Sequence, residues 1–253
     1  MSTKLSIPAG LSDIATWCNA DPAKTAAAAI SRAPRLVVSG RLSSGKDTVA
    51  AAVMERLGHL DSVQVSFATA LRKEIGELLD IARLHDLDDT VTMIAAHAAV
   101  STDDAVVTAG LLHQATRLDP TITPYTRTRE MRLALQAWGT EVRRRHDGDY
   151  WVKRGASDVI DALAEGKSVH ITDARFINEV ETAKALGFWA VRLEVDLAIR
   201  AERLRLRDGL TIDPASENHP SEVELESYRG FDQWVSNNGP LDETVAAVIA
   251  AMR

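Results

Sequence analysis

Apolar residues in this chain fall into short compact runs separated by longer stretches of helical spacing. Five runs read as strands: 35–39 (RLVVS), 62–66 (SVQVS), 168–172 (SVHIT), 189–195 (WAVRLEV) and 231–236. Between them the period lengthens to that of a helix. Val49, Ala52, Val53 and Leu57 share one side of a segment from Thr48 to Leu57, with Gly58 as its stop. Asn178 to Leu186 ends at Gly187, Asp196 caps an arginine-rich helix, and Leu241 to Met252 closes the chain. Strands alternating with helices predict an α/β fold: a three-layer α/β/α arrangement around a parallel five-stranded sheet.

Three stretches depart from that alternation. Residues 1–34 read as a helical extension, with Leu11, Ile14, Ala15 and Cys18 at helical spacing and Pro34 as its end. The α/β domain then covers 35–253. Residues 70–119 are helical with no strand of similar quality, so an inserted part is expected over about 70–128. The third departure, 200–229, marks a lid over about 197–222.

Composition narrows the chemistry. The chain has 253 residues, of which 45% are hydrophobic, enough for a substantial core. A net charge of −7 argues against a grip on duplex nucleic acid, although local arginine clusters still suit a small anion. One cysteine, Cys18, excludes an intrachain disulfide framework and suits a reducing cytoplasm. The first residues carry no long apolar run, and no stretch reaches the roughly 20 residues of a membrane span.

The strongest motif is Gly40-Arg-Leu-Ser-Ser-Gly45-Lys46-Asp47-Thr48, placed between a strand and a helix. Backbone N–H groups of such a loop cradle phosphate oxygens, and the helix behind adds positive dipole. Gly40, Ser43, Ser44 and Gly45 shape the cradle, and Lys46 bridges β- and γ-phosphates. The usual motif sets Ser or Thr directly after Lys. Here Asp47 stands there, so Thr48 is the expected hydroxyl ligand of Mg²⁺, with Asp47 turned away or assisting the metal shell.

A helix from Thr128 to His146 carries two stripes. Met131, Leu135, Trp138 and Val142 predict a core face. Arg129, Arg132, Gln136, Thr140 and Arg143 form a polar line with three arginines and no acid. That line is either a solvated basic face or the wall of a site for a monophosphate, with Gln136 facing a base. Ser66 and Phe67 follow the second strand, and Arg72 lies one turn on; Phe67 reads as a base platform or as core, and Arg72 as a phosphate ligand.

At the end of the third strand, Asp173 is a metal-shell candidate or a turn cap, and Arg175 could touch the transferred phosphate. Arg200, Arg203 and Arg207 share a helix face, as closing arginines or as a surface helix paired with acids such as Glu202. Asn237 follows the fifth strand and either turns the chain or flanks the adenine.

The words GRLSSGKDTVA (40–50), SFATALRKEI (66–75), LQAWGTEVRRRHDGDYWV (135–152), TDARFINEVETAKALGF (172–188), HPSE (219–222) and SNNG (236–239) together resemble the phage-type deoxynucleoside monophosphate kinase family. The resemblance spans about 200 residues. Residues 1–34 and roughly 80–126 carry none of its words. It implies a nucleoside monophosphate kinase-like P-loop fold, ATP and Mg²⁺, a (deoxy)nucleoside monophosphate acceptor, and the host cytoplasm for a bacteriophage protein. By motif position it assigns Lys46, Thr48 and the glycines to ATP. Arg72, Arg132, Gln136 and Arg143 fall to the acceptor, and Arg203 and Arg207 to the lid.

The expected reaction is in-line transfer of the γ-phosphoryl group to a phosphate oxygen, with Lys46, Arg175, Arg203 and Arg207 as the catalytic cations. Another small-molecule P-loop kinase, similar to dephospho-coenzyme A kinase, and a non-catalytic nucleotide-binding module stand as alternatives. Apolar N-terminal and inserted helices suggest a homodimer.

Overall fold

The computed structural model describes residues 11–252. Cα packing divides these into two units: the segment Ala68–Trp151, and the remainder.

The larger unit holds the sheet. Among the described residues its strands are β1 (Arg35–Ser39), β2 (Val63–Gln64), β3 (Val169–Ile171), β4 (Trp189–Glu194) and β5 (Gln233–Ser236). They lie in the order β2-β3-β1-β4-β5, and every pair is parallel. The sheet is therefore the expected five-stranded parallel one, and in its central strand β1 Leu36, Val37 and Val38 are fully buried.

The helices of this unit are α1 (Leu11–Trp17), α2 (Pro22–Ile30), α3 (Lys46–Arg56), α8 (Tyr150–Ala164), α9 (Ile177–Ala185), α10 (Leu197–Asp208), α11 (Pro214–Glu217), α12 (Pro220–Val223) and α13 (Leu241–Ala251), α8 beginning two residues before the division. They cover both faces of the sheet. Val49, Val53 and Met54 of α3 pack with Val245 and Val248 of α13 against Leu36, Val38 and Val191. On the other face α8 and α9 pack on Val37, Val169 and Ile171, and Ile14, Ala15 and Ala28 of the first two helices join that cluster. The apolar side of the N-terminal extension, read from sequence as a dimer surface, is thus spent inside this chain's own core.

The second unit is helical: α4 (Thr69–Leu84), α5 (Leu87–Ala98), α6 (Thr102–Leu118) and α7 (Arg129–Gln136). Asp86, Ser101 and Thr128 cap α5, α6 and α7, each side chain accepting a backbone N–H of the first turn. Beyond Gln136 the winding changes to a π-helix over Ala137–Arg144. Met131, Trp138 and Val142 are buried in one cluster with Ile75, Leu79 and Leu112, as the apolar stripe predicts. No helix among the described residues is long and apolar enough to cross a membrane.

Candidate functional site

The turn from β1 into α3 carries two left-handed residues, Ser43 at φ 60° and Gly45 at φ 87°. Gly45 precedes α3, and no side chain caps that helix. The first-turn N–H groups are therefore left to an incoming acceptor, with the helix dipole behind them. Ser43 and Ser44 are buried, yet their hydroxyls have no hydrogen-bond partner among the described residues. Buried polar groups are normally satisfied, so two unpaired hydroxyls beside an uncapped helix start fit the oxygens of a phosphate chain.

The loop is braced from behind. Asn237 Nδ2 donates to the Ser44 carbonyl at 2.8 Å, and its Oδ1 accepts from Thr244 Oγ1 at 2.9 Å. Arg203 donates to the carbonyls of Ser44 (3.4 Å) and Asn237 (2.9 Å). Arg200, buried on the same helix, donates to the Leu42 carbonyl at 3.4 Å. A Cβ on Gly45 would lie 2.7 Å from Asn237 Nδ2, and one on Gly40 would lie 2.5 Å from Ser44 Oγ. Gly45→Ala is expected to cost about 1–3 kcal/mol, from the left-handed φ together with the Asn237 clash. Urea melts would show the loss of stability, and nucleotide titration the accompanying loss of affinity.

Lys46 Nζ donates back to the Arg41 carbonyl at 3.1 Å. Burial pushes its ammonium down to about 8, and Arg175 adds to the fall. A phosphate arriving at Lys46 would restore the charged form. At pH 8.5 nucleotide binding should therefore take up a proton at Lys46, an uptake that shrinks as pH falls below 8. Calorimetry in buffers of different ionisation enthalpy measures it, and Lys46→Met should abolish it. An equal uptake in the variant assigns the proton elsewhere.

Arg175, beyond β3, directs its guanidinium onto Glu222, while its N–H donates to Glu179 Oε2 at 2.6 Å. Arg192 on β4 is buried and donates to Ser39 Oγ at 2.9 Å. It adds a cation beneath β1 that the sequence reading did not single out.

Several expected site residues stand elsewhere or do something else. Asp173 accepts from Ser66 Oγ at 2.5 Å and from the Phe67 N–H at 3.2 Å, so it ties the end of β3 to the corner after β2, a long-range contact that neither sequence alternative described. Phe67 is buried in the α8–α9 cluster and is core, not a base platform. Asp47 is turned toward the ends of β2 and β3, where Gln64 and Thr172 donate to it, and Thr48 beside it is exposed. Arg203 and Asn237 support the loop's back, and Asn237 has its amide engaged there rather than held open for a base. Arg207 is half exposed and pairs with its neighbour Asp208.

In the helical unit the polar line is broken. Arg129, Arg132, Gln136 and Thr140 are exposed or half-buried. Arg143 instead pairs with Glu74 at 2.9 Å and lies over the rings of Trp138 and Tyr150, 4.9 Å from each centroid. The π-helix is the cause. Its wider i→i+5 winding advances each residue by roughly 80° instead of 100°, so over six residues Arg143 turns more than about 90° from the α-helical line. Arg72 is likewise engaged, donating to the Pro124 carbonyl with its guanidinium over Tyr125.

The sequence reading missed three acids. Glu217 accepts from Arg41 and Arg200, Glu226 from Arg41, and Glu222 from Arg175 and the Leu42 N–H. Their one sequence signal was the HPSE word, which contains Glu222.

No family model matches the chain. It is 31% identical over 84 residues to a protein of Acanthamoeba polyphaga mimivirus named "Putative deoxynucleotide monophosphate kinase". The match spans 33% of this chain and 36% of that protein, about a third of each. Among solved structures, a gluconokinase from Sinorhizobium meliloti 1021 superposes with a TM-score of 0.39 at 17% identity, over 87% of this chain and 91% of the other. TT1252 from Thermus thermophilus gives 0.44 at 16%, over 87% and 98%. Likeness at that level bears on neither substrate nor activity.

Proposed function

We propose that the protein is an ATP-dependent kinase that phosphorylates a (deoxy)nucleoside monophosphate. The observation that carries this reading is the turn at 40–48: an uncapped helix start, two buried hydroxyls without partners, and Lys46 beside Arg175. Together these suit a polyphosphate chain and its terminal group. The deoxynucleotide class of the acceptor is supported by the sequence words and by the name of the mimiviral protein.

In this reading the backbone of 43–48 and the Ser43 and Ser44 hydroxyls bind the phosphates. Lys46 and Arg175 neutralise charge that spreads over the transferred group. The acceptor phosphate is already an anion at neutral pH, so no strong general base is required. Arg129, Arg132 and Gln136 are proposed as acceptor ligands, whereas Arg143 is not. Mg²⁺ suits the exposed Thr48 with Asp47 nearby, because this ion keeps several waters and asks for few protein oxygens; it would draw charge from the phosphates.

The test is ADP release from ATP with each common nucleoside and deoxynucleoside monophosphate in turn. Acceptor-dependent ADP with a monophosphate supports the proposal. Release with dephospho-coenzyme A alone, or binding without release, replaces it with another kinase or with a binding module.

A further inference from the structure

The segment between α10 and β5 crosses the phosphate loop with its acids inward. Glu222 Oε2 accepts the Leu42 N–H at 3.0 Å, and its other oxygen takes the Arg175 guanidinium. Burial pushes this carboxyl up, but Arg175 and Lys46 outweigh burial and hold it below the usual range. Glu217 Oε1 accepts from Arg200 at 2.5 Å and also meets Arg41; Glu226 meets Arg41 from the other side, its Oε1 2.6 Å from Nε. Glu224 accepts the Ile177 N–H at 2.9 Å. Four acids within ten residues thus engage the loop and the turn that follows β3.

This strap is built from short elements. Its helices α11 and α12 are four residues each. Leu225 is its buried apolar anchor among the described side chains of 213–226. The carboxylates help to hold it, and the partners of Glu217, Glu222 and Glu226 are a loop N–H and cations suited to phosphate. A carboxylate accepting from a backbone N–H and a guanidinium makes the bonds that a phosphate oxygen would make there.

We propose that residues 213–226 form an autoinhibitory strap in which Glu222 occupies the place of a terminal phosphate oxygen, and that a nucleoside triphosphate must displace it. The inference rests on the phosphate-loop reading above. Two anions cannot share one N–H and one guanidinium at full strength, so strap and triphosphate bind in competition. If the strap is closed about nine-tenths of the time, the apparent Kd for triphosphate is raised about tenfold.

The experiment compares wild type with Glu222→Gln, isosteric and neutral, by calorimetric titration of ATP and ADP. Expected is about tenfold tighter ATP binding in the variant, with a much smaller change for ADP, which lacks the terminal group. Hydrogen exchange on the wild-type chain gives a second readout that needs no variant: adding ATP should raise exchange at the amides of 213–226. Wild type that binds ATP, with Glu222→Gln no tighter or weaker and exchange over 213–226 unchanged or lowered, overturns the strap and makes Glu222 a positioning residue for Arg175. Wild type and variant both failing to bind any nucleotide overturns the phosphate-loop reading itself, and the strap with it.

Discussion

Lys46→Ala is expected to lower phosphoryl transfer about a thousandfold while leaving the melting temperature within a few degrees of wild type. The two halves of that result have one origin. Burial and Arg175 already disfavour the Lys46 ammonium, so the folded chain gains little from the charge. Its hydrogen bond among the described residues goes to the Arg41 carbonyl. Deleting it removes a cation from a crowd that includes Arg175 and Arg192, and relieves repulsion there. In the proposed reaction the same charge would sit against negative charge developing in the transition state, where it counts far more than in the resting fold. Steady-state kinetics and a thermal melt on one preparation decide the matter. Turnover within tenfold of wild type would remove Lys46 from the mechanism; a collapse in melting temperature would make the lysine structural.

Arg143→Ala should do the opposite: lower stability by about 2–3 kcal/mol and leave the acceptor KM nearly unchanged. Glu74 is the hub. It accepts from Trp138 Nε1 at 2.9 Å, from Tyr150 Oη at 2.6 Å and from Arg143 Nε at 2.9 Å. Arg143 also donates to the Ala98 carbonyl at 2.9 Å, so it ties the π-helix to the end of α5. Both charged partners are mostly buried, at 15% and 19% side-chain exposure, and removing one leaves the other poorly compensated. Arg132→Ala is the control, expected to raise the acceptor KM with little change in the melt. If Arg143→Ala raised the acceptor KM by tenfold or more at unchanged stability, it would return to the polar line that helical spacing assigned it.

The contrast between those arginines shows what the sequence could and could not reveal. All five strands were legible, because each is written as a short apolar run bounded by loop residues, although only β1, β3 and β4 are deeply buried. The turn at 40–48, proposed to hold phosphate, stood out because its chemistry is local: glycines, hydroxyls and a lysine within nine residues. The π-helix was not. Its apolar positions Trp138 and Val142 satisfy α-helical spacing equally well, and the altered winding shows only in where Arg143 ends up. The acids at 217, 222 and 226 were illegible for a different reason. Their partners at 41, 175 and 200 are distant in sequence, and nothing local distinguishes a loop-binding glutamate from a solvated one. Arg200 was noticed for its spacing, but its neighbour Arg203 was preferred for the transferred phosphate. In the fold Arg200 is the one that meets the strap, and Arg203 supports the turn.

Pro34 looks from sequence like the natural place to begin the domain, since everything before it lacks a recognisable word. Truncation there would be a mistake. Ile14 and Ala28 are fully enclosed, and Arg35 donates to the carbonyls of Ala28 and Ser31 as well as to Leu186. Removing the first two helices would open a wet gap over α8 and α9 and strip that guanidinium of two of its three acceptors. A lineage that shed them would have to refill the gap with bulkier side chains at the same step, which makes this stretch hard to lose gradually.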